Sequence, residues 1–182
     1  MIREEGNISE IRKALVFMID AHEGAYRKFS GLEYAHHPIE VAKIIRTHKK
    51  SKNKKEIIIA ALLHDTVEDV DEVTIEMIRE LFGNMVASMV DELTSDPVLI
   101  KKLGKSIYLL NKMVNMTSYS LGIKLADRLH NCSDLENGTE KFRTNYVSET
   151  RFILNGLTER EDLTKTHTTL IKKIDNKISV FE

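Results

Sequence analysis

Apolar residues recur every three to four positions along almost the whole of this 182-residue chain, and this spacing constrains the fold more than any other feature. Two prolines, Pro38 and Pro97, and eight glycines are the few residues that interrupt it. The pattern predicts an all-α fold, because half-buried strands would need alternation with a period of two. We expect a single helical bundle of roughly nine or ten helices. The predicted helices are 8–24, 38–49, 54–69, 74–82, 84–94, 99–117, 119–135, 143–157 and 160–180.

Chain length and charge limit the classes of protein to consider. The length suits one domain with a buried core, which we expect to span residues 1–182. The 27 Lys and Arg residues nearly balance the 28 Asp and Glu residues, so the net charge is −1. No global field therefore selects nucleic acid or a membrane surface as a partner. The longest apolar run, Ile57–Leu63, is much shorter than the roughly 20 residues that a membrane-spanning helix needs.

Three features bear on location and assembly. The single cysteine, Cys132, cannot form an intramolecular disulfide, which favours a reducing compartment. The polar start at Met1–Gly6 does not resemble a secretory signal, so we expect a cytoplasmic protein. The last segment, Leu163–Phe181, has apolar residues at helical spacing and is expected to dock on the core or on a second subunit. A homo-oligomer is therefore one of the open alternatives.

The most informative segment runs from Ile57 to Asp69 and passes from apolar residues directly into ionisable ones. A helix that is apolar on every face is usually buried, so ionisable groups at its end must be paired, hydrogen-bonded or bound to a metal. Positions four apart share a helix face, so we expect His64 beside Glu68. By the same spacing Asp65 lies beside Asp69, and both pairs are expected to face one pocket.

Two further pieces of the chain repeat this chemistry. In the predicted helix 119–135, Asp127 follows an apolar stretch and Asn131 lies one turn further on. The pair His36 and His37 precedes Pro38. Proline suits the first turn of a helix and disfavours helical geometry in the residue before it. We therefore expect His37 at the entrance of a helix, with its own backbone outside helical geometry.

These residues suggest a metal site. In an extended stretch neighbouring side chains point in opposite directions, so only one of His36 and His37 can face the site. We favour His37, which alone directly precedes Pro38. Two imidazoles and two carboxylates suit Mn²⁺, Fe²⁺ or Zn²⁺, and water bound to such an ion is a nucleophile at neutral pH. Taken alone, a buried hydrogen-bonded pair would explain the His-Asp dipeptide equally well. The predicted ligands are His37, His64, Asp65 and Asp127.

Several pieces of sequence follow one another in a recognisable order. They are Ala21–Gly24 with Arg27–Lys28, Tyr34 with His37–Pro38 and Val41–Ala42, Ala60–Asp69, Phe82–Gly83, and Lys124–Asn131. Together they resemble the hydrolase domain of the Rel/SpoT alarmone enzymes and their free-standing small relatives, within the HD phosphohydrolase superfamily. The resemblance covers residues from about 10 to 135. The helices at 143–182 would then pack on this motif-bearing part.

The resemblance implies an enzyme that hydrolyses the 3′-diphosphate of (p)ppGpp to GDP or GTP and pyrophosphate. It implies bound Mn²⁺, with Fe²⁺ or Zn²⁺ as substitutes. No synthetase domain follows in this sequence, so the implied activity is degradative only. The residues that match the family's metal ligands are His37, His64, Asp65 and Asp127.

The resemblance also implies roles for residues outside the ligand set. Glu68 and Asp69 match the family's catalytic pair, which orients or deprotonates the attacking water and supports proton transfer. Arg27 and Lys28 match the basic pair that contacts the nucleotide. Asn131 matches a pocket position near the ribose phosphate.

The sequence departs from the family pattern at three places. The loop 27–31 carries one residue more than the usual Arg-Lys-Ser-Gly, near Phe29; no proline precedes Tyr34; and Asp134 stands where the long enzymes often have threonine. Because the base-contacting loop is altered, hydrolysis of another nucleotide, such as NADPH or a dNTP, stays open. A catalytically silent nucleotide sensor or partner-binding module is the third alternative. It predicts the loss of ligand or acid–base residues, and all of them are present.

Some charged residues also have simpler interpretations. Without the resemblance, Glu68 and Asp69 would be interpreted as solvated charge at the end of a helix. Lys124 and Arg128 are expected to form ion pairs with carboxylates on the helix surface. His22 has no place in the predicted ligand set.

Overall fold

The computed structural model describes the backbone of residues 2–181 and the side chains of residues 9–181. Within them, extended pairing is limited to an isolated bridge between Tyr26 and Glu33, so the all-α prediction is confirmed. None of the described helices is both long and apolar enough to cross a membrane. The α-helices are α1 (Ile2–Ala21), α2 (His36–His48), α3 (Lys54–Leu63), α4 (Thr66–Asp69), α5 (Ile75–Phe82), α6 (Asn84–Leu93), α7 (Pro97–Leu103), α8 (Lys105–Asn115), α9 (Ser118–Ser133), α10 (Glu140–Leu157) and α11 (Lys165–Ile178). Two 3₁₀ turns cover Leu135–Asn137 and Ser179–Phe181.

The chain packs into two compact units, the first ending at Thr94 and the second beginning at Ser95. In the first unit α3 is the central helix and packs against α1, α2 and α6. Every residue from Ile57 to Leu63 is buried, as expected for a helix that is apolar on every face. The ionisable residues that follow Leu63 therefore emerge from the end of a buried helix.

In the second unit α9 is covered by α11, while α10 packs against α8 and α11. The apolar residues Leu170, Ile174 and Ile178 of α11 are fully buried. His167, in the first turn of α11, donates from Nε2 to the carbonyl oxygen of Ser118 at 2.8 Å. Helix α11 therefore docks on α9 of the same chain.

The predicted helix 54–69 is wrong at one point, because it divides into α3 and α4. His64 and Asp65 form the turn between them. The hydroxyl of Thr66 donates to the carbonyl oxygen of Leu63 at 2.8 Å. A side chain thus satisfies a carbonyl at the end of α3 that a continuing helix would have bonded through its backbone.

The break also changes the relation between the residues on either side of it. The N–H of Glu68 bonds to the carbonyl oxygen of Asp65, three residues earlier, at 3.1 Å. The regular helical stacking that we expected between His64 and Glu68 therefore does not run through this turn. The N–H of Asp69 bonds to the same Asp65 carbonyl at 2.9 Å, so these two residues keep the four-residue spacing of a helix.

The predicted helix 99–117 is also wrong at one point, because it divides into α7 and α8 at Gly104. Gly104 has a φ of +80°, a conformation that glycine adopts without the steric cost of a Cβ. Its N–H bonds to the carbonyl of Ile100 at 2.9 Å, and its carbonyl accepts from Tyr108 at 3.0 Å. One residue therefore ends α7 and begins α8.

The expectation that the backbone of His37 is not helical is wrong. Helix α2 begins at His36, and His37 is its second residue. Ala35 already has helical backbone angles, and the N–H of His37 bonds to the carbonyl of Tyr34 at 2.9 Å. Pro38 is the third helical residue, where its missing N–H has no intrahelical partner to lose. His37 nevertheless stands at the entrance of a helix, as predicted.

Candidate active site and metal centre

Two imidazoles and one carboxylate converge in the first unit, between the first turn of α2 and the end of α3. Nε2 of His64 lies 3.1 Å from Oδ2 of Asp65, and Nε2 of His37 lies 3.5 Å from the same oxygen. The two rings are 5.2 Å apart between centroids. Each histidine is only 1% exposed. The structure thus brings together three of the predicted metal ligands, two buried histidines and a half-buried carboxylate.

The backbone determines which nitrogen of His64 carries a hydrogen. Nδ1 of His64 lies 2.9 Å from the carbonyl oxygen of Ala61, and because a carbonyl oxygen only accepts, Nδ1 is the donor. In the neutral ring Nε2 then presents its lone pair to Asp65. Two electron-rich atoms that face each other at 3.1 Å need a cation, either a proton or a metal ion, between them. Fixing the ring through its other nitrogen is typical of metal-binding histidines, so this donor set fits a divalent ion.

His36 points away from this cluster. Its side chain is 47% exposed, and its Nε2 lies 3.9 Å from the carboxylate of Glu40, one turn along α2. Successive side chains on a helix diverge by about 100°, so His36 and His37 cannot face the same point. His37 is the histidine that faces Asp65, for a helical reason rather than the extended geometry we assumed.

Tyr34 fixes the carboxylate of the cluster. Its hydroxyl donates to Oδ2 of Asp65 at 2.7 Å. Burial raises the pKa of the Tyr34 phenol, and the charges of Asp65 and Asp69 raise it further, so the hydroxyl keeps its proton. Tyr34 belongs to one of the motifs that resemble the Rel/SpoT family, but no spacing rule indicated that it would reach Asp65, 31 positions away.

His22, which had no predicted role, is also part of this region. Its ring stacks on Tyr34, with 4.7 Å between centroids and an interplanar angle of 17°. Nδ1 donates to the carbonyl oxygen of Met18 at 3.0 Å, and Nε2 lies 3.8 Å from Oδ2 of Asp69. Burial lowers the pKa of His22, but Asp69, the Met18 carbonyl and Asp65 raise it by more, so the pKa lies above 6.5. Its place in the Ala21–Gly24 motif was the available signal.

The predicted catalytic pair lies on the single turn α4. Glu68 and Asp69 are both exposed, in contrast to the buried histidines of the cluster. Their N–H groups bond to the backbone carbonyl of Asp65, at 3.1 and 2.9 Å. These bonds attach α4 to the residue whose carboxylate faces both imidazoles. Two acids therefore stand at the solvent side of the cluster.

The predicted nucleotide-contacting loop, residues 27–31, forms the tip of a short hairpin that the Tyr26–Glu33 bridge closes. The guanidinium of Arg27 lies 5.9 Å from the ring centroid of Tyr34, within cation–π range. Lys28 is exposed at the tip, with its Nζ 5.4 Å from the ring of Phe29. Arg27 therefore lies beside the side chain that holds Asp65, whereas Lys28 faces solvent.

In the second unit α9 carries the fourth predicted ligand, Asp127, which is 7% exposed. Nδ2 of Asn131 donates to its Oδ1 at 2.6 Å, and Nζ of Lys124 lies 2.9 Å from its Oδ2. Neighbours one turn away thus hold both oxygens. The predicted pairing of Lys124 with a carboxylate is confirmed, but the pair is largely buried rather than on the helix surface. The carboxylate has a fixed orientation, which is what a metal ligand needs.

The prediction of a surface ion pair for Arg128 is wrong. Its side chain is 4% exposed and donates to Oε1 of Glu149 at 3.0 Å and to Oγ1 of Thr150 at 2.7 Å. Burial lowers the pKa of Arg128, but Tyr146 and Glu149 raise it by more, so the guanidinium stays charged. Helix α10 covers this face of α9, which the local sequence pattern could not show. Arg128 therefore ties α9 to α10.

The comparisons with known proteins agree with these observations. The chain is 35% identical over 132 residues to guanosine-3′,5′-bis(diphosphate) 3′-pyrophosphohydrolase MESH1 of Mus musculus, covering 72% of each chain. It is also 35% identical over 158 residues to a GTP pyrophosphokinase of Myxococcus xanthus, but that match covers 82% of this chain and only 20% of the relative. The chain thus spans about a fifth of the long relative.

A solved structure and a family model extend the comparison to the fold. The structure is described as a metazoan ortholog of SpoT that hydrolyzes ppGpp, and it matches with a TM-score of 0.80 and 25% identity over 94% of both chains. The family model described as "HD domain" matches residues 14–164. That span is most of the chain and includes every predicted site residue. The chain therefore belongs to the HD domain family.

Proposed function

We propose that this protein is a metal-dependent phosphohydrolase that cleaves the 3′-diphosphate of (p)ppGpp, releasing pyrophosphate and leaving GDP or GTP. The observation that carries the proposal is the cluster of His37, His64 and Asp65, in which the lone pair of His64 Nε2 and a carboxylate oxygen face each other and need a cation between them. The name of the mouse relative supports the choice of substrate.

We propose Mn²⁺ as the native ion, with Fe²⁺ or Zn²⁺ as alternatives, since imidazole and carboxylate ligands accept all three. When bound, the ion supplies Lewis acidity and lowers the pKa of coordinated water. On the side of the protein, hydrogen bonds with Ala61, Tyr34 and Asn131 orient three of the donors. The proposed ligands are His37, His64, Asp65 and Asp127.

Glu68 and Asp69 are the proposed acid–base residues. Exposed carboxylates on a turn that is bonded to Asp65 can orient the attacking water and accept its proton. Protonation of the departing oxygen can follow from the same pair. This division leaves the buried residues to hold the ion and the exposed ones to move protons.

Arg27, Lys28 and Asn131 are the proposed substrate contacts. A guanidinium binds phosphate oxygens through paired hydrogen bonds, whereas a lysine acts as a point charge. Arg27 lies against Tyr34 and is the better placed of the two to reach a phosphate near the cluster. Lys28 at the hairpin tip suits the outer part of the nucleotide.

The wider organisation is also proposed. One HD-type hydrolase domain spans residues 1–182, with its motifs between about 10 and 135, and the family match through residues 14–164 supports this. We propose a cytoplasmic location, which the single cysteine favours, and a nucleotide substrate without nucleic acid or membrane partners. Sedimentation of the purified protein tests whether it forms a homo-oligomer.

The test of the function is a substrate panel. Purified protein is incubated with Mn²⁺ and, separately, with ppGpp, pppGpp, GTP, dNTPs and NADPH, and the release of pyrophosphate and phosphate is followed. We expect pyrophosphate from the two alarmones only. Metal analysis of protein purified without added metal identifies the resident ion.

The substrate panel also tests whether the altered hairpin changes the substrate. Phe29, the additional residue, lies against Lys28 at 5.4 Å and changes the surface that a base would meet. If phosphate were released from NADPH alone, the substrate would be NADPH rather than the alarmone, and the proposed metal-dependent hydrolysis would stand. Metal binding without turnover of any substrate would favour the third alternative, a silent sensor or binding module.

A further inference from the structure

The buried imidazole of His22 lacks a hydrogen bond on one of its two nitrogens. Nδ1 donates to the carbonyl oxygen of Met18, because that oxygen can only accept. Nε2 is buried and makes no hydrogen bond to any described residue. The charged atom facing it is Oδ2 of Asp69, at 3.8 Å. A buried polar atom without a partner is costly, so this arrangement calls for a specific explanation.

The tautomer of His22 indicates which protonation state explains the arrangement. With the hydrogen on Nδ1, a neutral His22 would turn the lone pair of Nε2 toward a carboxylate. A proton on Nε2 converts this repulsion into attraction, and the 3.8 Å separation is then that of an ion pair. The protonated ring spans from the Met18 carbonyl to the Asp69 carboxylate.

The stack on Tyr34 fixes the direction of this ring. Its interplanar angle is 17°, so the His22 ring cannot turn without losing the contact. Tyr34 in turn donates to Asp65 at 2.7 Å. Of the two stacked rings, Tyr34 thus donates to the proposed metal ligand, and His22 faces the proposed acid–base residue.

We propose that His22 is a positioning residue that holds the Asp69 carboxylate through an ion pair from Nε2. The inference deepens the proposed hydrolase function and rests on it for the role of Asp69. Asp69 is exposed on a single helical turn, where a carboxylate would otherwise sample several rotamers. A fixed charge on its inner side restricts that freedom and aims the acid toward the cluster.

Two substitutions separate the hydrogen bond of His22 to Met18 from its ion pair with Asp69. His22→Asn keeps a donor where Nδ1 meets Met18 but removes the group that faces Asp69. His22→Gln carries an amide donor further out, toward Asp69. We expect His22→Asn to lower kcat on the order of 10- to 100-fold with little change in KM, and His22→Gln to recover most of it. An unchanged kcat in His22→Asn would overturn the proposal.

A double-mutant cycle with Asp69→Asn tests whether His22 acts through that acid. In the Asp69→Asn background, we expect His22→Asn to cause no further loss of kcat. Losses that simply multiply would show that His22 acts independently, against the proposal. The matched control is His48→Asn, because His48 makes the same bond to the carbonyl four residues earlier, at 2.9 Å from Ile44. It should leave kcat unchanged.

An NMR titration of the His22 ring measures the pair without turnover. The charges that face this region are those of Asp69 and Asp65, and the nearby cavity of about 540 Å³ adds the carboxylates of Glu23, Asp71 and Glu72. We expect Asp69→Asn to lower the pKa of His22 clearly and Asp71→Asn to lower it much less. Equal shifts would mean a diffuse acidic field and would overturn the pairing.

The two readouts also separate this inference from the proposed function. A His22 pKa that depends on Asp69, in a protein that hydrolyses nothing in the substrate panel, would support the pair and end the hydrolase proposal. If the protein hydrolyses alarmones but Asp69→Asn leaves the pKa of His22 unchanged, the hydrolase proposal stands and the positioning role of His22 is wrong.

Discussion

The α3–α4 turn and helix α9 begin from the same kind of sequence, an apolar helix that runs into ionisable residues, yet the two regions use it differently. The first helix stops at Leu63, and the turn that follows displays His64 and Asp65. Helix α9 continues past Asp127 and Arg128 without interruption. In the turn, the side chains of the consecutive residues His64 and Asp65 meet each other. Along α9 consecutive side chains diverge, Asp127 toward Lys124 and Arg128 toward α10.

The difference shows what a helix break contributes. A continuous helix separates neighbouring side chains by about 100°, so adjacent charged residues serve different purposes. A break allows adjacent residues to converge, at the cost of backbone bonds that side chains must replace. Substitutions in the turn should therefore change chemistry, whereas substitution of Arg128 on α9 should change stability.

Asp65→Ala should have the largest effect. It removes the oxygen that both imidazoles face, so we expect loss of bound metal and turnover at background level. Metal analysis and the pyrophosphate assay measure the two effects. Asp71→Ala, which changes an exposed acid two residues after α4, is the control and should retain both. Full metal content in Asp65→Ala would remove Asp65 from the ligand set.

Glu68→Gln should separate metal binding from catalysis. The amide keeps the size of the side chain but cannot accept a proton, so turnover should fall by roughly 10²- to 10⁴-fold while bound metal stays unchanged. Glu72→Gln, a few residues further along the chain, provides the comparison. Normal turnover in Glu68→Gln would end its acid–base role.

Arg128→Met tests the other half of the comparison. It leaves the half-buried Glu149 and the buried end of α9 without their ion pair, so we expect the free energy of unfolding to fall by about 3–5 kcal/mol. Denaturant unfolding measures this change, and metal content of the folded fraction should stay normal. Lost metal at unchanged stability would mean that α9, like the turn, uses adjacent charges for chemistry.

Thr66→Val should have the smallest effect. It removes the hydroxyl bond to Leu63 while keeping the shape of the side chain, so we expect a loss of about 1 kcal/mol in the free energy of unfolding. Thr47→Val, which removes the same kind of bond to Lys43 on the exposed side of α2, should cost less than about 0.5 kcal/mol. Equal losses would mean that the turn places no special demand on Thr66.

The sequence predicted the parts of this structure that depend on local spacing. Periodicity alone gave the helical class, and burial of α3 followed from its uniform apolarity. The break at His64 was missed because it depends on side chains that bond to the backbone within a buried helix. His37 was preferred over His36 because it directly precedes Pro38, and it is the histidine that faces Asp65; the argument that only one can face the site holds for a helix rather than for the extended geometry we assumed.

The contacts that spacing cannot show are those between distant segments. His22 stacks on Tyr34 across a hairpin, and Arg128 reaches α10 from α9. Neither partner shares a helix face with the residue that it contacts, so no periodic pattern could have paired them. Resemblance to a family identified the segments that carry these residues but assigned His22 no function.

The shortness of α4 has a consequence for how this protein can be observed. A helix of four residues is far below the roughly 12 residues at which an isolated helix becomes stable in water. Its order depends on the neighbours that hold it, so the amide hydrogens of Glu68 and Asp69 should exchange with deuterium much sooner than those of buried α3. Ligands that fix Asp65 should slow that exchange. The exchange rates of these two amides therefore report whether the site at Asp65 is occupied.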